Sequence, residues 1–162
     1  MFSRGPGSRR RAVGLGAFAL GLAFIITSCG ASPVAVEPPH PSGAVASACR
    51  KLLGALPSTV LGQESRPVEP SDALAAAWGS PPILLRCGVA KPAALTPSSA
   101  CVQINGVGWF AEEASRGYIF TTVGREAYVE VSVPSAYTPA ADTLVDVSTR
   151  VRRDIPERTP CQ

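Results

Sequence analysis

Apolar positions along this chain follow three patterns. From Ala12 to Ser28 an uncharged run rich in Leu, Ala, Phe and Gly shows no polar face. Further on, Cys49, Leu52, Leu53 and Leu56 recur at i, i+3, i+4 and i+7, one face of a helix, and Pro57 ends it. From Ala127 to Val133 the pattern alternates. Ala127, Val129, Val131 and Val133 point one way and Tyr128, Glu130 and Ser132 the other, as in a strand with one buried face. A second helical stripe, Leu144, Val147 and Val151, follows Pro139 and stops by Pro156.

Shorter signals fill the interval. Pro81-Pro82 leads into the apolar strand Ile83-Leu84-Leu85-Arg86-Cys87. Cys101 to Ile104 and Val107 to Phe110 flank Asn105-Gly106, which predicts a hairpin, because both central residues of a type I′ turn need positive φ. Tyr118 to Val123 reads as a strand turned by Gly124-Arg125, with Arg125-Glu126 as a surface turn pair. Thr59 to Pro70 is mostly polar and reads as loop or short edge strand. Ser71-Asp72 followed by Ala73 to Trp78 predicts a capped alanine-rich turn closed by Gly79, and Ala90 to Ala100 a loop. The order is helix, antiparallel strands, helix, with one apolar stripe per helix. The predicted fold is an α+β two-layer sandwich, with both helices on one face of the sheet.

The first apolar run changes meaning when its flanks are added. Arg4, Arg9, Arg10 and Arg11 precede it, and Ile26-Thr27-Ser28-Cys29 closes it. That order resembles a bacterial lipoprotein signal peptide, whose closing cysteine is lipidated after cleavage. An uncleaved anchor or an ordinary secretory peptide is the alternative, and Ser8-Arg9-Arg10 leaves the twin-arginine export route open. The expected organisation is a leader over 1–28, a Pro-rich tether over 29–43 and a single domain over 44–162. The tether holds Pro33, Pro38, Pro39 and Pro41, and His40 reads as a solvated linker residue.

Charge follows this division. Four of the 15 basic residues and none of the 12 acidic ones precede Cys29, so the +3 of the whole chain becomes −1 beyond the leader. Such a domain has no basic field for nucleic acid, and its membrane attachment would come from the lipid on Cys29. The other four cysteines, Cys49, Cys87, Cys101 and Cys161, read as two disulfides in an exported domain. Cys49 lies on the helical stripe and Cys87 shares a strand face with Ile83 and Leu85. Cys49–Cys87 would staple helix to sheet and leave Cys101–Cys161 to tie the C-terminal tail to the hairpin. The alternative is Cys49–Cys161 with Cys87–Cys101. No metal site is expected, since the cysteine spacings are long and the domain has no histidine.

Catalytic patterns are sparse. The domain has no Ser-x-x-Lys tetrad, and its lysines are Lys51 and Lys91. Glu112-Glu113 reads as a solvated loop pair. Gly106-x-Gly108 sits in a hairpin with no following helix, so no phosphate loop or cofactor is expected. Trp78 and Trp109 are candidates for stacking on a sugar or peptide, although a core position is the commoner use of tryptophan. Arg86, Tyr128 and Glu130 alternate away from the apolar positions of their strands. If the strands neighbour, they form a candidate docking surface on the face opposite the helices.

The chain also resembles a family. Cys49-Arg50-Lys51-Leu52 with Leu56-Pro57, the block from Trp78-Gly79 to Cys87-Gly88, Val102 to Trp109, and Gly124 to Val131 are similar to an actinobacterial envelope family catalogued as a domain of unknown function (number 3515). The resemblance implies a secreted or membrane-anchored protein and no particular activity. Gly108 departs from it, standing where an aspartate would be expected. The expected function is a non-catalytic envelope lipoprotein that binds or assists another envelope component. A solute-binding module is the alternative, and a carboxylate enzyme using Arg86 or Arg125 the more distant one.

Overall fold

A computed structural model of the chain describes Met1 and residues 31–161. In chain order the elements are β1 (Val34–Ala35), α1 (Gly43–Leu53), β2 (Thr59–Val60), β3 (Gln63–Arg66), β4 (Val68–Glu69), β5 (Ala75–Trp78) and β6 (Ile83–Val89). They continue with β7 (Val102–Ile104), β8 (Val107–Ala114), β9 (Gly117–Thr122), β10 (Tyr128–Pro134) and α2 (Thr143–Asp154), which a 3-10 turn over Ala140–Asp142 introduces. Eight strands form one antiparallel sheet in the order β2-β3-β5-β6-β10-β9-β8-β7. β1 pairs β4 in parallel beside it.

Both helices cover the same face. Register sets Val129 opposite Cys87 and Val131 opposite Leu85, so the apolar sides of β10 and β6 coincide. Cys49 of α1 is bonded to Cys87, and Ser148 of α2 accepts the indole N–H of Trp109 from β8. Leu52, Ile83, Leu85, Val129, Val131, Leu144, Val147 and Val151 fill the layer between. Each such side chain contributes about 1.5–3 kcal/mol by leaving water. The predicted sandwich is the observed one, and Asn105 (φ 50°) and Gly106 (φ 77°) make the predicted hairpin turn.

Two segments differ from expectation. Ala73 to Trp78 is not a helical turn: Ala75–Trp78 is strand β5, hydrogen-bonded to β3 and β6. Ala75, Ala77 and Trp78 are all buried, and pairing within the sheet overrides the helix propensity of the alanines. Glu112-Glu113 lies within β8 and not in a loop, on opposite sides of the strand. The Pro-rich segment is extended but not free. Val34 N donates to Pro67 O at 2.8 Å and Val36 N to Glu69 O at 2.9 Å, which lays the segment along the domain.

Candidate functional site: the sheet face under the N-terminal segment

The pleat turns Leu85 and Cys87 toward the helices and Arg86 away from them. Glu130 stands directly opposite Arg86 on β10. Arg86 donates from Nε and Nη2 to Glu130 Oε1, at 3.0 and 2.8 Å. Both side chains are mostly covered, at 23% and 15% exposure. The cover is the N-terminal segment. Arg86 Nη1 reaches the Glu37 carbonyl at 3.5 Å, and the Glu37 carboxylate lies 3.9 Å away. Pro41 rests on Gly88, where any side-chain carbon would collide with it. A cleft of about 330 Å³ remains between Pro38, Pro39 and His40 on one side and Arg86 and Glu130 on the other.

Tyr128 belongs to the same face but opens into a neighbouring cleft. It pairs with Val89 and lines a space of about 340 Å³ with Lys91, Leu95, Thr96 and Ser99. The three expected surface residues therefore share a face and divide between two hollows. Arg86 is already committed to Glu130 and Glu37, so it fastens the segment and offers few donors to a ligand.

The tryptophans are corrected as surface candidates. Trp78 is 1% exposed and donates its indole N–H to Pro57 O at 3.0 Å, and Trp109 is 0% exposed and donates to Ser148 Oγ at 3.0 Å. Both ring faces are covered by protein, so neither can stack on a solute. Arg125 is corrected too: it is buried and not a surface turn residue. It donates to Ile155 O at 2.7 Å and Gly106 O at 2.6 Å, tying the end of α2 to the β7–β8 turn. Burial lowers its pKa, nearby Glu157 raises it and Arg152 lowers it further. Glu126 pairs separately with Arg158 at 2.9 Å.

Sequence reasoning missed a device these arginines share. Arg66 donates to Gly79 O at 2.9 Å and to Ser32 O at 2.6 Å. Arg66, Arg86 and Arg125 each seize main-chain carbonyls of a segment remote in sequence. No local pattern marks them, because a carbonyl belongs to every residue.

The four domain cysteines form Cys49–Cys87 and Cys101–Cys161, with Cα separations of 5.5 and 6.3 Å. This is the first of the two weighed pairings. Cys29 and the leader expected over 1–28, Met1 excepted, lie outside the described residues. Among the described residues no group of three His, Cys, Asp or Glu could hold a metal ion, and no helix is long and apolar enough to cross a membrane. Chemically, the open part of this face is the Tyr128 hollow, lined by the Lys91 ammonium and the Thr96 and Ser99 hydroxyls, while the Arg86–Glu130 pair lies under its cover.

A family model described as "Protein of unknown function (DUF3515)" matches residues 12–160. The chain belongs to that family. The matched span takes in the apolar run from Ala12, the N-terminal segment, the whole sheet and the tail to Pro160, so the DUF3515 unit includes the segment that covers Arg86. No curated protein and no solved structure matches the chain.

Proposed function

We propose that this protein is a non-catalytic envelope lipoprotein. Cys29 carries lipid on the outer side of the cytoplasmic membrane, and the domain binds or assists another envelope component there. The observation that carries the reading is the order of Arg4 to Arg11, the uncharged run to Ser28, and Cys29. Two disulfides support it, since such bonds persist in oxidising compartments outside the cytoplasm. The Tyr128 cleft, with Lys91, Thr96 and Ser99 on its lining, offers a polar hollow to a protein loop or polar group. Metabolic labelling with a fatty-acid probe tests the anchor. The native chain should take up label and Cys29→Ala should not; equal labelling would refute the proposal. Affinity capture of the anchored protein from membranes, compared with a Tyr128→Ala form, tests the partner.

A further inference from the structure

Only Gly30 and Ala31 separate Cys29 from Ser32 in sequence. Ser32 is held, because its carbonyl accepts Arg66 Nη2 at 2.6 Å, and β1 begins two residues later. Three extended residue steps reach about 10 Å, so a lipid on Cys29 would hold Ser32 within that distance of the bilayer surface. Ser32 lies beside Gly62, Gln63, Gly79 and Ser80, where β5 ends and β6 is about to begin. Antiparallel pairing carries this end of the sheet across to Pro134, Gly117 and Ala114.

The same end presents an apolar and aromatic rim. Tyr118 is 43% exposed, Arg116 and Pro81 are exposed, and an apolar cleft of about 350 Å³ runs between Pro81, Pro82, Tyr118, Ile119 and Pro134. The Tyr118 ring stacks on Phe120 with centroids 6.0 Å apart and is partly open to solvent, and an amphipathic tyrosine suits a membrane interface. Arg116 supplies a cation for a lipid phosphate, and exposed Glu113, paired with Tyr118 across β8 and β9, supplies an anion for a headgroup amine. The net charge of −1 beyond the leader fits a zwitterionic surface better than an anionic one.

We propose that the domain stands end-on on a zwitterionic bilayer, with Tyr118, Arg116 and Pro81–Pro82 against the headgroups. The proposal rests on the lipid-anchor reading of Cys29. The anchored corner at β3 and the rim at β9 are four strand spacings apart, about 19 Å, so two contacts fix the tilt. The Tyr128 cleft sits at the other end of β10, roughly 20 Å farther from the lipid, open to a partner.

The test uses the full chain, processed by its host and reconstituted in phosphatidylethanolamine–phosphatidylcholine vesicles that contain headgroup-spin-labelled lipid. A fluorophore is placed on Ser115→Cys or Ala136→Cys at the proposed membrane end, and on Ala93→Cys at the far end. Quenching at 115 and 136 should exceed that at 93 by about three-fold or more, given the strand length between them. Equal or reversed quenching would overturn the orientation. Intact mass of the same samples separates the two readings. Acylated protein with equal quenching removes the orientation alone, and protein without acyl mass removes the anchor and the orientation together. Arg116→Glu with Tyr118→Ala should reduce the contrast, and an unchanged contrast would also overturn the assignment of this rim.

Discussion

Arg86 faces Glu130 across the β6–β10 ladder, and two of its nitrogens donate to a single carboxylate oxygen at 3.0 and 2.8 Å. That leaves Nη1 to reach over the sheet to Glu37. The pair thus joins two neighbouring strands and fastens the N-terminal segment above them.

Its contribution can be isolated. With both side chains less than a quarter exposed, a cycle of Arg86→Met and Glu130→Gln should show a coupling of about 1–2 kcal/mol, read by urea unfolding. Arg86→Met should also speed hydrogen exchange at the Val34 and Val36 amides. No coupling together with unchanged exchange would leave the pair as an ornament of the surface.

Trp109 and Ser148 make a second decisive contact, between β8 and α2. Both residues are fully buried, so Ser148→Ala strands an indole N–H away from water. The expected loss is about 1–3 kcal/mol, with a corresponding fall in melting temperature. Ser148→Thr, which keeps a hydroxyl, should recover part of it.

Gly108 is buried against the second disulfide. A Cβ there would lie 2.6 Å from Cys161 Cβ and 2.9 Å from its sulfur. The aspartate that the family resemblance leads one to expect would need that same space. Gly108→Ala should therefore cost about 1–3 kcal/mol by overpacking. In a Cys101→Ser, Cys161→Ser background the tail can step aside, so the added cost should shrink by half or more. An equal cost in both backgrounds would place the strain elsewhere.

What was legible in the sequence had a local period. The stripe Cys49, Leu52, Leu53, the alternation from Ala127 to Val133 and the Asn105-Gly106 turn each depend on residues within one element, and they yielded the sandwich and the first of the two weighed disulfide pairings. β5 was illegible because its strand state comes from pairing with β3 and β6, which are remote from it in pattern, whereas alanine alone argues for helix. The prolines from Pro33 to Pro41 announce an extended chain but not the sheet it lies on. Arg86 and Glu130 were legible as a pair because the pleat dictates their direction. The cover over them was not, since it depends on carbonyl contacts 34 and 49 residues distant.

Asp154 supplies the pH dependence. It ends α2, where a negative charge opposes the helix dipole, and its side chain is fully buried. Burial pushes its pKa up. Hydrogen bonds from Arg153 and from Lys51 of α1, with their charges, outweigh that and leave it below the ordinary carboxylate value. Lys51 Nζ lies 3.2 Å from one oxygen and Arg153 Nη2 3.2 Å from the other. Because the folded state binds this proton less readily than the unfolded chain, the stabilisation is present above the unfolded value of about 4. It is lost as pH falls through the lower folded value. Asp154→Asn should remove it: about 1–2 kcal/mol at neutral pH, because both cations are exposed and screened, and little at strongly acidic pH. Denaturant unfolding of both proteins from pH 7 downward should show the two stability curves converging. Parallel curves over that range would mean that Asp154 titrates alike in the folded and unfolded chain, so that its ion pairs add no pH-dependent stability.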